Sequence, residues 1–370
     1  MAEIPVRQKA VMIQDPGPNG HIIFKNCVPV ERPGENEVLV KLECSGIWYD
    51  CTFLLSGIIV TARSHSDLRG LMGWGTTSPI PGHEGVGWVI ALGPSAPSTL
   101  LGQRVGIRWL HSACGVCSVC SSIPAFPNNC PQQRNTGRNV PGTLEQYMVA
   151  HAFYLSHIPD GLPSEVAAPL LCAGLSMAGA ISRLEPELER GNWVIIPGAG
   201  GGLGHLGLQI AARTKGYRVV AVDTGEAKRE LCLSLGAEAF VDFLTEDIEM
   251  KVKELTDGEF AHGIVVVPGG QKAYTLAPKL IRNRGVMVCV GLPREDFHIP
   301  ISPIECCDRG LVIKGSATGN EEQMQELFQL ALSNTVLPQV ELIDFSRTGE
   351  ILEKLRNDEI SGRVVTLIPP

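Results

Sequence analysis

The 370-residue chain lacks several features that would place a protein in a class at first sight. No apolar run stands out at the roughly 18 residues needed to span a bilayer. The first residues, MAEIPVRQKAVMIQD, hold no apolar h-region and no cleavage site, so no secretory signal is expected. No Lys/Arg block interrupts a chain of net charge −8, which gives nucleic acid or an anionic membrane nothing to grip. There is no internal repeat and no low-complexity tract. These absences leave a cytoplasmic globular protein as the expectation. The length suggests about two domains. A balance of 44% hydrophobic to 19% charged residues supplies an ordinary core. In a reducing compartment the 12 cysteines are expected as thiols or metal ligands rather than disulfides.

What is present changes character along the chain. Up to about Pro169, short strand-like runs such as NEVLVKL, GVGWVIAL and GQRVGIRW are cut by Gly and Pro, which predicts an antiparallel, β-rich domain. After LPSEVAAPLLCAG, buried-strand runs (NWVIIPG, YRVVAVD, GIVVVPG, GVMVCVG) alternate with helical ones (LGHLGLQIAARTKG, AKRELCLSLGA). That alternation predicts a parallel sheet with helices on both faces. The tail mixes helices EEQMQELFQLAL and TGEILEKLRN with a strand GRVVTLI. A long Gly/Ser/Thr-studded connection, LLSGIIVTARSHSDLRGLMGWGTTSPI, is of a length that usually carries function.

Two motifs point to chemistry. In VIIPGAGGGLGHLG a strand runs into a Gly-rich turn and then a helix, the setting in which backbone N–H groups receive a pyrophosphate. The next strand ends at Asp223, 19 residues after Gly204, where a carboxylate takes the adenosine ribose hydroxyls and repels a 2′-phosphate. NAD(H) is therefore expected over NADP(H). In CGVCSVCSSIPAFPNNC, Cys114, Cys117, Cys120 and Cys130 fall within 17 residues, a spacing that wraps one tetrahedral zinc in four thiolates. An iron–sulfur cluster is the alternative, and the compactness of the lobe favours zinc. Such a closed site orders a loop and leaves no position open for catalysis.

With these motifs on the page, the chain resembles the zinc-dependent medium-chain alcohol dehydrogenases, most closely the yeast-type branch. GHEGVGWV, GIRWL, the Cys lobe, PLLCAGLS, GAGGGLG, YRVVAVDTGEAK, VGLP, GSATGN and GRVV occur in the family's order from about Lys9 to Val365. The resemblance implies an α/β fold, a GroES-like β-rich catalytic domain (1–172 and 318–370) plus a Rossmann doubly wound domain (173–317). It implies that Gly198, Ala199, Gly200, Gly201, Gly202, Leu203, Gly204, Asp223, Lys228, Val290 and Arg363 contact NAD, and that Ser176 lies near the nicotinamide. It implies a homodimer or homotetramer acting on a small molecule. His83, Glu84 and Cys172 match three positions of the family's catalytic zinc site.

The first ligand does not match. Where the family reads S-G-x-C-H-T-D, this chain reads Ser45, Gly46, Ile47, Trp48, Tyr49, Asp50, Cys51. The ligand position is Trp48, the proton-relay hydroxyl is Asp50 and the further relay histidine is Phe53. The expectation is therefore a remnant catalytic site without zinc. Its pocket is walled by Trp48, Phe53 and Trp109, with Tyr49 and Asp50 as the nearest proton donors; the other reading of Tyr49 has it facing the cofactor phosphates. Three functions stand open. The first is an NAD(H)-dependent reductase of a carbonyl or a conjugated enone, enal or iminium. The second is a conventional zinc alcohol dehydrogenase whose third ligand, Cys51 or Cys44, swings in from the long connection. The third is a cofactor-binding protein in a non-redox or structural role.

Overall fold

The computed structural model describes residues 4–17, 20–47, 77–122, 125–293, 296–356, 360 and 362–370. Two large sheets organise them. A seven-stranded sheet has the order Val340–Asp344, Arg363–Leu367, Glu37–Ile47, Gly85–Leu92, Arg104–Ile107, Ser156–His157, with Tyr147–His151 also paired to Glu37–Ile47. Its pairings are antiparallel except the first, which is parallel. The expected β-rich domain is thus completed by a strand from the C-terminal tail.

The second sheet is six-stranded and wholly parallel: Ala239–Asp242, Arg218–Asp223, Trp193–Pro197, Ala261–Val266, Ile281–Cys289, Val312–Gly315. In chain order this is 3-2-1-4-5-6, the doubly wound arrangement, whose ligand crevice opens where the order reverses. Side chains alternate along each strand. Val194, Ile196, Val219 and Ala221 enter one core cluster, and Ile195, Val220 and Val222 enter the other. Both faces are covered, which is why these strands read as continuous apolar runs.

One helical run, Ser164–Ser182, was not anticipated at its full length. By length and composition it could cross a membrane, but 78% of its most apolar window is buried inside the protein. Its many Ala, Gly and Ser residues escape notice as an apolar run, and their small size lets it pack closely. The core cluster it belongs to takes in Cys44, Val86 and Val365 of the antiparallel sheet along with strands of the parallel one. The expected domain boundary at 172/173 falls within this run. The segment around Gly319 packs tightly on it: a Cβ on Gly179 would lie 2.7 Å from the Gly319 nitrogen, and that N–H donates to Leu175 O at 2.9 Å.

A buried polar seam ties the glycine turn to the returning tail. His205 Nδ1 lies 2.8 Å from Gly201 O, and Gln339 N–H donates to His205 Nε2 at 3.2 Å. A backbone donor on Nε2 requires the proton on Nδ1, so the ring is neutral and its tautomer fixed. One turn later, Gln209 Nε2 donates to Leu337 O at 2.9 Å, and its Oε1 accepts from Leu337 N at 3.0 Å. Burial pushes the pKa of His205 from 6.5 down to about 4, against the opposing pull of the bond to Gly201. The unfolded ring protonates near 6.5 and the folded ring near 4. The unfolded state therefore binds the extra proton in that window, and stability falls as pH drops through it. At pH 5 the loss from this group is about 2 kcal/mol. Urea midpoints at pH 7 and pH 5 test this: the wild type should lose more stability than His205→Gln by roughly that amount, and equal losses would contradict it.

Candidate active site

The site is built around a glycine. Gly46 lies between two strand neighbours, paired with Val365 on one side and donating its N–H to Glu84 O at 3.0 Å on the other. A Cβ at Gly46 would fall 2.0 Å from Glu84 Oε2. The missing side chain thus leaves the path along which the Glu84 carboxylate reaches Arg363. Arg363 Nη2 and Glu84 Oε2 are in direct contact, with side-chain exposures of 1% and 0%. The other carboxylate oxygen accepts from Ala173 N at 3.2 Å. Burial pushes the Glu84 carboxyl up, while Arg363, His83 and the Ala173 N–H pull it down. Arginine keeps its charge in proteins, and its contact favours the ionised carboxylate against the burial that opposes it.

His83 and Cys172, which the resemblance set at one site, lie in contact. Both are buried, and the Cys172 thiol hydrogen-bonds to His83. Burial raises the thiol's pKa, and His83 opposes the rise. Cys172 lies in a π-helical turn, Leu170–Gly174, within the long helical run; such turns are frequent at functional sites. Ser176 follows four residues later in that run and is buried. The Trp109 ring meets His83 edge-on, centroids 5.2 Å apart at 76°. Glu84, by contrast, turns away from this pair towards Arg363. Among the described residues the four-cysteine lobe is the only group of three or more His, Cys, Asp or Glu set to hold one metal. Cys44 is a buried strand residue in the core, its thiol pushed far up by burial. Trp48, Tyr49, Asp50, Cys51 and Phe53 lie outside the described residues.

The glycine turn runs as its spacing suggested. Gly198 takes φ +70°, and a Cβ on Gly204 would fall 2.0 Å from Gly198 O. Asp223 Oδ2 accepts from Gly200 N at 2.9 Å, and Oδ1 accepts from Thr224 N and Lys228 Nζ, each at 2.9 Å. Arg363 lies beneath the turn, where a Cβ on Gly202 would come within 3.2 Å of its Cδ and Nη1. Val290 follows the strand Ile281–Cys289, its N–H donating to Val266 O at 3.2 Å. A cavity of about 300 Å³, lined by Pro197, Val222, Phe243, Ile248 and Leu276 among others, opens beside the residue preceding Asp223. The turn, the carboxylate and the apolar cavity suit a dinucleotide's phosphates, ribose and base in that order. His205 was not foreseen. Its only signal was a polar residue immediately after the last glycine, where an apolar one would pack as well.

The four lobe sulfurs all lie within 4.8 Å of one another, with Cys114–Cys130 at 3.5 Å, Cys117–Cys130 at 3.9 Å and Cys114–Cys120 at 4.0 Å. A tetrahedron of Zn–S bonds near 2.3 Å has edges of about 3.8 Å, so the donor set fits zinc. The N–H groups of Val116 and Cys117 hold the Cys114 thiol down at about 6, which favours the thiolate a metal needs. The described cysteines are all free of disulfides.

Comparison with known proteins agrees with this geometry. Residues 34–160 match the alcohol dehydrogenase GroES-like domain, and 202–333 match a zinc-binding dehydrogenase domain. Alcohol dehydrogenase 2 of Emericella nidulans is 37% identical, over 98% of both chains. The alcohol dehydrogenase of Schizosaccharomyces pombe is 34% identical, again over 98% of both. Among solved structures, acetophenone reductase from Geotrichum candidum in complex with NAD superposes with a TM-score of 0.79 at 28% identity, covering 99% of this chain and 98% of that one.

Two outcomes follow from the site. Cys117→Ser leaves three thiolates that cannot close the zinc shell, so the variant should lose its lobe zinc and melt earlier; full zinc content at unchanged stability would refute the assignment. Glu84→Gln leaves the buried Arg363 charge uncompensated and should cost about 3–5 kcal/mol in urea unfolding. A cost below about 1 kcal/mol, the scale of an exposed pair, would show that the pair is not a buried ionic one.

Proposed function

The chain belongs to the zinc-type medium-chain alcohol dehydrogenase family, and within that oxidoreductase family we propose an NAD(H)-dependent reductase that acts on a carbonyl or conjugated small molecule without a metal at His83. One observation carries the reading: Glu84 is held by Arg363 and Ala173, which leaves His83 and Cys172 as the two donors among the described residues, where a catalytic zinc takes three. Trp48, at the family's ligand position, has no lone pair to offer.

NAD(H), once bound, supplies a hydride. The chain's own groups do the rest. The glycine turn receives the phosphates, Asp223 with Lys228 receives the ribose, and Ser176 with Val290 lies by the nicotinamide. Trp109 excludes water from beside His83. Without a Lewis acid a simple carbonyl loses several kcal/mol of activation. A conjugated substrate needs less, and a positioned proton donor supplies roughly 10²- to 10⁴-fold. Tyr49 and Asp50 are assigned that role, Tyr49 as the group protonated at neutral pH. The reading places the protein in the cytoplasm as a homodimer or homotetramer.

The competing reading keeps a conventional zinc alcohol dehydrogenase. The retained contact of His83 with Cys172 favours it, with a third ligand coming from Cys51. Steady-state assays separate the two. With NADH, a conjugated aldehyde such as cinnamaldehyde should be reduced. Oxidation of ethanol with NAD should be weaker by roughly the 10²-fold or more that a lost Lewis acid implies, and added zinc should leave it unchanged. Ethanol oxidation that zinc restores and a chelator abolishes would establish the conventional enzyme instead.

A further inference from the structure

Asp223 is not the only carboxylate at its level of the sheet. The strands Arg218–Asp223 and Ala239–Asp242 are parallel and in register, with Asp223 opposite Asp242. Adjacent strands lie about 4.8 Å apart, so two acidic residues end side by side where the adenosine ribose is received. The two carboxylates share the holding of one short turn. Asp223 Oδ1 accepts from Thr224 N at 2.9 Å, and Asp242 Oδ2 accepts from Gly225 N at 3.0 Å. Asp242 Oδ1 accepts from Leu244 N at 3.0 Å. Gly225 has φ +91°, a backbone that other residues rarely adopt, so the turn is shaped to these two acceptors.

The surrounding charge adds to this. Glu226 and Glu246 stand on either side, and both pair with Arg229, at 3.7 and 3.4 Å. Arg229 also stacks on Phe240, 4.7 Å from its centroid. Lys228 pairs with Asp223. Around the turn, among the described residues, Asp223, Asp242, Glu226 and Glu246 outnumber Lys228 and Arg229, and each of the two cations already has a carboxylate partner.

We infer that Asp242 is a second specificity-determining residue: it positions the Thr224–Gly225 turn and, together with Asp223, repels the 2′-phosphate of NADP. A 2′-phosphate hangs on the oxygen that Asp223 receives and so projects over this turn. It carries nearly two charges at neutral pH. Burial would raise the pKa of Asp242, but the N–H groups of Gly225 and Leu244, the Thr224 side chain and the Arg229 charge together outweigh it, so its carboxylate is held below the usual range and stays charged through neutrality. The inference rests on the NAD(H) reading above. It holds that Asp223→Gly alone leaves much of the barrier to NADP standing.

The test is binding of NAD⁺ and NADP⁺ by titration calorimetry to the wild type, Asp223→Gly, Asp242→Asn and the double variant, at pH 8 and pH 5.5. Asp242→Asn should raise the ratio of NADP⁺ to NAD⁺ affinity by about three- to tenfold at pH 8, and by less at pH 5.5, where the phosphate has lost most of its second charge. The double variant should exceed Asp223→Gly by a similar factor. Simple loosening of the turn would weaken both dinucleotides alike, so an unmoved ratio, or a shift equal at both pH values, overturns the inference. Asp242→Ser, which keeps an acceptor for Gly225 N–H, serves the same test if the Asn variant folds poorly. A wild type that prefers NADP⁺ overturns the NAD(H) reading itself, and the inference with it.

Discussion

The buried pair between Glu84 and Arg363 is the constraint on which the rest of the site depends. Two opposite charges stripped of water are held only when geometry and further hydrogen bonds compensate. Here the compensation is local. Ala173 donates to the carboxylate, and Gly46 is bare so that the carboxylate can pass. Arg363 lies at the head of a strand from the tail, beneath Gly202 of the dinucleotide turn. Glu84 directly follows His83. One ion pair therefore fixes the position of the cofactor turn relative to the pocket.

Much of this was legible in the sequence. The strand–turn–helix at Gly198–Gly204, the carboxylate at Asp223 and the four-cysteine lobe all rest on short-range spacing. Short-range spacing survives folding unchanged. The parallel sheet was legible for a related reason: strands covered on both faces read as unbroken apolar runs. The resemblance, rather than any local pattern, put His83 beside Cys172.

Other features depend on contacts between distant segments and left no local mark. Glu84 and Arg363 are separated by most of the chain, so nothing in either neighbourhood revealed their pairing. The resemblance gave Arg363 to the cofactor, whereas the structure shows what its guanidinium touches within the protein. His205 reads as one more residue of an amphipathic helix until Gln339 is brought against it. Asp242 ends an ordinary-looking strand and gains meaning only from the register that sets it opposite Asp223. The helical run Ser164–Ser182 hid its length behind small side chains.

The central claim is that the chain keeps the family's cofactor site and lobe metal while its catalytic pocket works with two donors and no zinc. Crystals of the purified protein, measured on both sides of the zinc absorption edge, test it most directly. The account predicts one strong anomalous peak, inside the tetrahedron of Cys114, Cys117, Cys120 and Cys130, and none within bonding distance of both His83 and Cys172. A second peak of comparable height between His83 and Cys172 would contradict it and restore a conventional zinc dehydrogenase.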